Sequence, residues 1–574
     1  MKELNFDTKN NFYLYPLLIL FFFFLTFNSY FGSYHSGYIN NIKYVFNKDL
    51  FINDIFLKNS ITFNSTIFYK FLYFFRINLD NDYLGFFIHV IVSFFSGYYL
   101  IKILKKNLYL SSKYYLIIII LLIPTDGSLI ESSRSSWIIN HSNTPTYFVS
   151  FLRILFIYYL LDYKLFKLTV VSCMMLLIAL GATWFVLGFG YIYLLSSLKK
   201  KKHILWFFFP LIISFIFLTK ENYDLTYDQR LYLFNESVLR NYWSGSFYFQ
   251  PKLKIATLFL SFILYFFLIK DIKNSKFKNF LNILLYFSIF IFLFNLIYIK
   301  FFGRLFPEPK IVVLNFPIAL GFYQTFFWIV FFNFLIQRIN NEYFKFTSLV
   351  VLYMLLFFTY KHFILAVLLL SILLFIYLFI KKYHLNSFIL KNYLLLFLII
   401  LLPIHTYYFY KKLINEFDYY SLVRINKWTT GDLVGNNQRV ASSIALQKCN
   451  DFILLDVDGN NNSPSLKMTN HIAQKSNLFG GIHHSYFNYD LVRLYQDRNN
   501  MKESIDKSIK NKIIFNDQIV NFLITNKVIV IINKKNINLI PLKFFRKNLY
   551  KDDYLVFFTS NVDTNKILKE CQIQ

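Results

Sequence analysis

Residues 280–299 read FLNILLYFSIFIFLFNLIYI. The run carries no charge and is as long as the roughly 20 apolar residues that cross a hydrocarbon core. Phe12–Phe31, Phe86–Ile101 and Leu394–Tyr410 are similar uncharged runs. Backbone polar groups at that depth must bond to one another, so each run is expected to be a helix. These stretches predict a chain that crosses a bilayer many times.

Composition agrees with this. Of 574 residues, 56% are hydrophobic and 22% aromatic, and the mean hydropathy is +0.44. The abundance of Phe, Ile, Tyr, Asn and Lys resembles an AT-rich coding bias, so no single Phe or Lys carries much weight. The formal charge of +29 would suggest a nucleic-acid partner in a soluble protein. Here the cations fall in short clusters between apolar runs, which is the pattern of topology signals, and nucleic acid is rejected as a partner. Cys173, Cys449 and Cys571 are too few for a disulfide framework; Cys449 and Cys571 share the tail, and two free thiols is the commoner arrangement. Met1–Asn11 mixes Lys2 and Lys9 with Glu3 and Asp7, and the run after it exceeds a signal-peptide core, so it reads as a retained first span.

The positive-inside rule orders the loops. With the N-terminus in the cytoplasm, the first span (about 12–31) exits to a long outer loop, 32–81. A span over about 83–101 returns to Lys102, Lys105, Lys106 and Lys113. A short one over about 114–124 leads to the outer segment 125–145, and another over about 146–162 returns to Lys164 and Lys167. A tight hairpin through Gly181–Thr183 delivers Lys199–Lys202 to the same side. A span over about 204–219 exits to a loop holding Tyr223–Pro251, and one over about 255–269 returns to Lys270, Lys273, Lys276 and Lys278. The 280–299 run exits to Gly303–Lys310, a span over about 313–336 returns to Arg338 and Lys345, another hairpin delivers Lys381 and Lys382, and a last span over about 392–410 exits. The expected fold is an all-α polytopic membrane domain, 1–410, of about thirteen transmembrane helices. An odd number places the tail, 411–574, outside, as a small α/β soluble domain. In that tail Gln438–Gln447 and Tyr489–Ile509 read as helices, Asp451–Val457, Lys527–Asn533 and Asn548–Thr559 as strands, and Gly459–Pro464 as a turn.

Chemistry concentrates in the outer loops. The first contains Ser33-Tyr34-His35-Ser36-Gly37-Tyr38 and Asn47-Lys48-Asp49-Leu50-Phe51-Ile52-Asn53-Asp54. Ile39, Ile42, Val45 and Phe46 have the spacing of an interfacial helix. A carboxylate beside the membrane can act as a general base or hold a divalent metal. Two solvated loop acids is the plainer reading of Asp49 and Asp54. Arg134, Arg240 and Arg304 stand in outer loops, where a guanidinium fork suits phosphate and also suits lipid headgroups.

This arrangement resembles the GT-C superfamily of membrane glycosyltransferases: an N-in start, a long first outer loop bearing an Asp, many helices and an outer α/β tail. The run His35…Tyr38…Ile42…Asn53-Asp54 looks like a bacterial branch whose first loop reads His, a helix, then Asn/Pro-Asp. Tail stretches Asp451–Leu455, Ala473–Ser476, Tyr489…Tyr495…Arg498 and Ile529–Ile532 resemble the soluble domains of such proteins. Leu239-Arg240-Asn241-Tyr242-Trp243 and Phe247–Pro251 lie where that branch often has Arg-x-Pro-His-His, and this chain lacks both histidines. The resemblance implies transfer of a sugar from a polyprenyl-phosphate donor to a surface glycan, lipid or protein, at the outer face of a bacterial cytoplasmic membrane. It implies Asp54 as catalytic base or metal-binding acid, Asp49 second, and Arg240, Arg134 and Arg304 as phosphate-binding cations. His35, Asp126, Glu131 and Arg153 are further candidates, the bilayer and a lipid-linked sugar donor are the implied partners, and a divalent metal fits the acidic site.

Arg153 falls about a third of the way into its span, facing either the bundle interior or the outer surface by snorkelling. His89 reads more plainly as packing than as a ligand. Ile453-Leu454-Leu455-Asp456-Val457-Asp458-Gly459-Asn460 resembles the nucleophile motif of haloacid-dehalogenase phosphatases, but Asn460 replaces the usual Thr; as an EF-hand loop it fails at Lys467. A transporter or flippase of lipid-linked glycans is the alternative function, and a GT-C relative without catalysis the third. Transporters bind near the midplane through broken helices and buried polar groups, whereas the polar residues here gather in outer loops.

Overall fold

The computed structural model describes residues 66–77, 82–110, 145–178, 180–198, 225–240, 252–307, 316–339, 453–456, 476–477, 489–526, 528–541, 545–551 and 554–559, with isolated positions between them. The expected spans over 12–31 and 392–410 and the hairpin before Lys381 and Lys382 lie outside these residues, and the spans over 114–124 and 204–219 almost wholly so. The chain divides into two compact units. The first comprises residues 1–27, 89–140 and 146–415; the second gathers 28–88, 141–145 and 416–574.

From residue 66 to 339 every described element is helical: α1 (Thr66–Phe74), α2 (Asp82–Asn107), α3 (Pro145–Leu161), α4 (Leu165–Ile178), α5 (Leu180–Ser197), α6 (Tyr227–Arg240), α7 (Lys252–Leu268), α8 (Ser275–Ile297) and α9 (Phe316–Ile339). Among the described residues one helix, Ser275–Leu305 taken with its continuation, is long and apolar enough to cross a membrane. Shorter apolar helices cover Phe148–Leu161, Leu165–Ile178, Thr183–Ser197 and Ala319–Phe334. Local chemistry sets the ends. Asn274 caps α8 by accepting from the Phe277 amide at 3.1 Å. Lys105 and Lys106 close α2, where cations suit the negative helix terminus.

The chain reverses between α4 and α5. The Thr183 hydroxyl donates to the Met175 carbonyl at 3.1 Å, and the Tyr163 and Tyr193 rings stack 6.1 Å apart. In a continuous helix residues 175 and 183 would lie about 12 Å apart, so these contacts require an antiparallel hairpin. The small residues around Gly181 allow the reversal. α8 is the hub: it packs on α5, α7 and α9. Phe280 meets Phe189 at 5.2 Å, Tyr193 at 5.5 Å and Phe326 at 5.2 Å, all near edge-on. α3 has no exposed described position, the mark of a core helix.

The tail contributes a five-stranded sheet: β1 (Ile453–Asp456), β2 (Ser476–Asn477), β3 (Val528–Asn533), β4 (Phe545–Lys551) and β5 (Tyr554–Thr559), in the order β2-β1-β3-β5-β4. β1 pairs in parallel with β2 and β3; β5 is antiparallel to β3 and β4. The single strand expected over 548–559 is thus two antiparallel strands, ending at Lys551 and beginning at Tyr554; the sequence between them, Asp552-Asp553, is poor in strand propensity. α10 (Tyr489–Asn511) and α11 (Asp517–Thr525) cover one face. Ile505, Ile519, Val520 and Leu523 pack with Leu455, Val528 and Val530, which alternation and the register Leu455↔Val530 put on the same side of the sheet.

Among the described residues three helices end with a non-glycine residue in the left-handed region: Arg76, Tyr163 and Lys512, with φ of 53°, 54° and 53°. In each, paired bonds close the last turn; at Lys512 these are Lys512 N–H to Ile509 O and Ile513 N–H to Ser508 O. A side chain there costs about 1 kcal/mol relative to glycine. Lys512→Gly is therefore expected to stabilise the tail by about 0.5–1 kcal/mol. Asn516→Ala, which removes the cap accepting from the Ile519 amide at 2.9 Å, is expected to destabilise it by about 1 kcal/mol. Hydrogen exchange of the Val520–Leu523 amides in the full chain reads both changes.

Candidate functional site

Asp49, Asp54, His35, Asp126, Glu131 and Arg134 lie outside the described residues. Arg240, Arg304 and Arg153 lie within them, and the first two belong to segments that the fold brings together.

The meeting point is the far end of α8. After Ile297 the helix widens into a π-turn, Tyr298–Phe302, and then tightens into the helical turn Gly303–Leu305. π-turns shift the register of a helix by one residue and are frequent at functional sites. The Tyr298 hydroxyl donates to the Phe306 carbonyl at 2.9 Å and closes the segment on itself. Arg304 is exposed. Its carbonyl accepts a hydrogen bond from the Tyr227 hydroxyl, at the first residue of α6. One further contact fixes α6 here. The buried Phe234 ring meets Tyr298 edge-on at 5.9 Å and fills the space over Gly303. Arg240 ends α6, six residues beyond Phe234 and so about 9 Å farther along its axis. The result is a junction of the Arg304 turn with α6, on which Arg230 is exposed as Arg304 is, and which ends in Arg240. Exposed arginines beside an apolar helix end suit an anionic group such as a phosphate.

Arg153 is 1% exposed, on the buried helix α3. Snorkelling toward the surface is replaced by an interior placement, because α3 offers no exposed face for the side chain to follow. Gln324, Asn295 and Asn333 are also buried polar side chains, on α8 and α9. In the tail Arg498, which the sequence resemblance singled out, is buried in α10. Asp456 ends β1 between two parallel neighbours, at the carboxyl edge of the sheet. Among the described residues no three His, Cys, Asp or Glu side chains gather as a metal site.

Sequence reasoning missed α6 and the π-turn. Among the described side chains of α6, Leu233 and Phe234 are buried, and acidic, basic and amide groups surround them in sequence, so the apolar signal was weak. The π-turn leaves no hydrophobic signature at all.

The contact over Gly303 is testable. A Cβ at this position would overlap the Phe234 ring. Gly303→Ala is expected to destabilise the chain by about 1–3 kcal/mol, the usual cost of overpacking. Phe234→Leu in the same chain should recover most of it, as a thermal melt in detergent would show. Among known proteins, no family model, no curated protein and no solved structure matches the chain.

Proposed function

We infer that this chain is a multi-pass membrane glycosyltransferase of GT-C type, acting at the outer face of a bacterial cytoplasmic membrane on a polyprenyl-phosphate-linked sugar. In this reading about thirteen helices span the bilayer, the N-terminus is cytoplasmic and the tail lies outside. Support for the bilayer comes from the surface of the helices. α4 exposes Phe166, Val170, Met174 and Leu177, and α8 exposes Tyr286, Phe290, Leu293 and Ile297, each along one face. Apolar stripes of that length facing water are unfavourable, and facing acyl chains they cost nothing.

The single observation that carries the enzymatic reading is the meeting of the Arg304 turn with the helix that ends in Arg240. Both were expected in outer loops, and both suit the donor phosphate. The acceptor hydroxyl attacks the anomeric carbon, its proton passes to Asp54, and the bond from that carbon to the phosphate oxygen breaks. The leaving polyprenyl phosphate takes the electron pair and is stabilised by guanidinium groups. A divalent metal at Asp54 and Asp49 would serve the same end.

The buried Arg153, Gln324, Asn295 and Asn333 favour a second reading, in which the bundle moves a lipid-linked glycan without chemistry. Transfer assays separate the two. Membranes carrying the chain, supplied with a panel of radiolabelled polyprenyl-phosphate sugars, are expected to pass label to an acceptor. Asp54→Asn should lower that rate about 10²–10⁴-fold, and Arg304→Gln should raise the donor KM. Label that crosses the membrane without being transferred would select the transporter, and full transfer by Asp54→Asn would remove Asp54 from its role.

A further inference from the structure

The opposite end of the helical unit has its own chemistry. The segments 102–106, 162–167 and 270–278 hold nine lysines against two acids, Asp162 and Asp271. Side-chain contacts join these segments. Lys106 and Lys164 both pair with Asp162, the latter at 3.6 Å. Asn274 donates to Asn107 at 3.4 Å, and Asn279 to Ser197 at 3.1 Å. The Lys276 ammonium sits 3.6 Å from the centre of the Tyr163 ring. The helix ends therefore form one cationic collar.

The lysines lie against aromatic rings. Lys102 covers Tyr98 at 4.2 Å, and Lys270 lies 5.0 Å from Phe266 and 5.1 Å from Phe267. Phe266, Phe267 and Phe166 are themselves exposed, and from them the apolar stripes of α7 and α4 run away from the collar. A nucleic acid meets a polar surface with cations spread across it. Here the surface turns from ammonium to aromatic to aliphatic within a few turns of helix, which is the profile of a leaflet from headgroup to acyl chain.

We propose that this collar selectively binds anionic phospholipid headgroups, the ammonium groups of Lys102, Lys270 and Lys273 contacting phosphate while the neighbouring aromatic side chains lie among the upper acyl chains. The proposal rests on the membrane reading and is independent of the enzymatic one. Lys106, Lys164 and Lys276 are held by Asp162 and Tyr163 and serve the fold.

The test uses the full chain reconstituted in vesicles with trace spin-labelled phosphatidylglycerol or phosphatidylcholine of the same chain length. The fraction of motionally restricted label gives the relative association of each lipid. Phosphatidylglycerol is expected to be preferred several-fold, with the preference falling as salt is raised toward about 1 M. Each of Lys102→Gln, Lys270→Gln and Lys273→Gln should lower the preference in part, and the triple Gln variant should bring it close to one. The corresponding Lys→Arg variants should retain it, which separates lost charge from lost folding. Equal restriction of the two lipids, or a preference that survives the triple Gln variant, overturns the proposal and leaves the membrane reading standing. Lysine-dependent binding of duplex DNA without lipid preference overturns it too. A chain that stays soluble without detergent overturns both.

Discussion

The ring of Phe280 holds the helical unit together. It lies on α8 with Phe189 and Tyr193 of α5 on one side and Phe322 and Phe326 of α9 on the other, while Phe277 stacks on it within α8 at 5.9 Å. Edge-on aromatic pairs such as these add about 0.5–1.5 kcal/mol each beyond the area they bury. They also fix the rotation of α8 about its axis, because a flat ring fits its neighbours in few orientations. Once that rotation is set, Tyr286, Phe290 and Leu293 must face outward, and the π-turn must present Gly303 to Phe234.

The same rotation explains why the two ends of the unit differ. At one end α8 begins with Asn274 and Lys276, which reach Asn107 and Tyr163. At the other it ends in Tyr298, Gly303 and Arg304, which reach α6. Segments expected on a common side of the membrane from their lysines do come together: 102–107, 162–164, 197 and 270–279 at one end, and 227–234 and 298–306 at the other. Lysine alone did not carry this outcome; Asp162, the lone acid of its loop, ties two of those loops.

The helices of this unit were legible because apolar runs bounded by lysine leave few alternatives. The hairpin at Gly181 was legible for the same reason, since the expected alternation of lysine-bearing loops called for a reversal between 165 and 197. What sequence could not show has physical causes. α1 is written in aromatic residues on both faces, with Phe68, Tyr69 and Leu72 buried and Phe71, Tyr73 and Phe74 exposed, so no period stands out. The β4–β5 pair hid because β4, Phe545–Lys551, mixes four polar residues with three apolar ones and gives little strand signal beside the apolar β5. Tyr163 occupies a left-handed position that favours glycine, and its identity follows from the ring contacts with Tyr193 and Lys276. Of the site, Arg304 and Arg240 could be picked out by residue type and loop, but their common junction depends on Gly303 and Phe234, which no charge pattern marks.

Arg153 shows how far charge alone can be read. Position along the chain left it either inside the bundle or reaching out to the surface, and the sequence of α3 is compatible with both. The packing decides, because Val149, Leu152, Phe156 and Ile157 are all buried around the helix and leave no exposed groove. Placing a guanidinium there is costly unless its donors are satisfied within the bundle. It is therefore tied to the arrangement of the helices around it, and a change in their packing would be felt at this charge first. That gives the interior of the unit a polar element of its own, separate from the arginines at the α6 junction and from the lysines at the opposite end. The transferase reading draws on the junction, whereas the reading of passage through the bundle draws on this interior charge. The two readings of function thus rest on different residues of the same unit, so substitution at one does not confound the reading of the other.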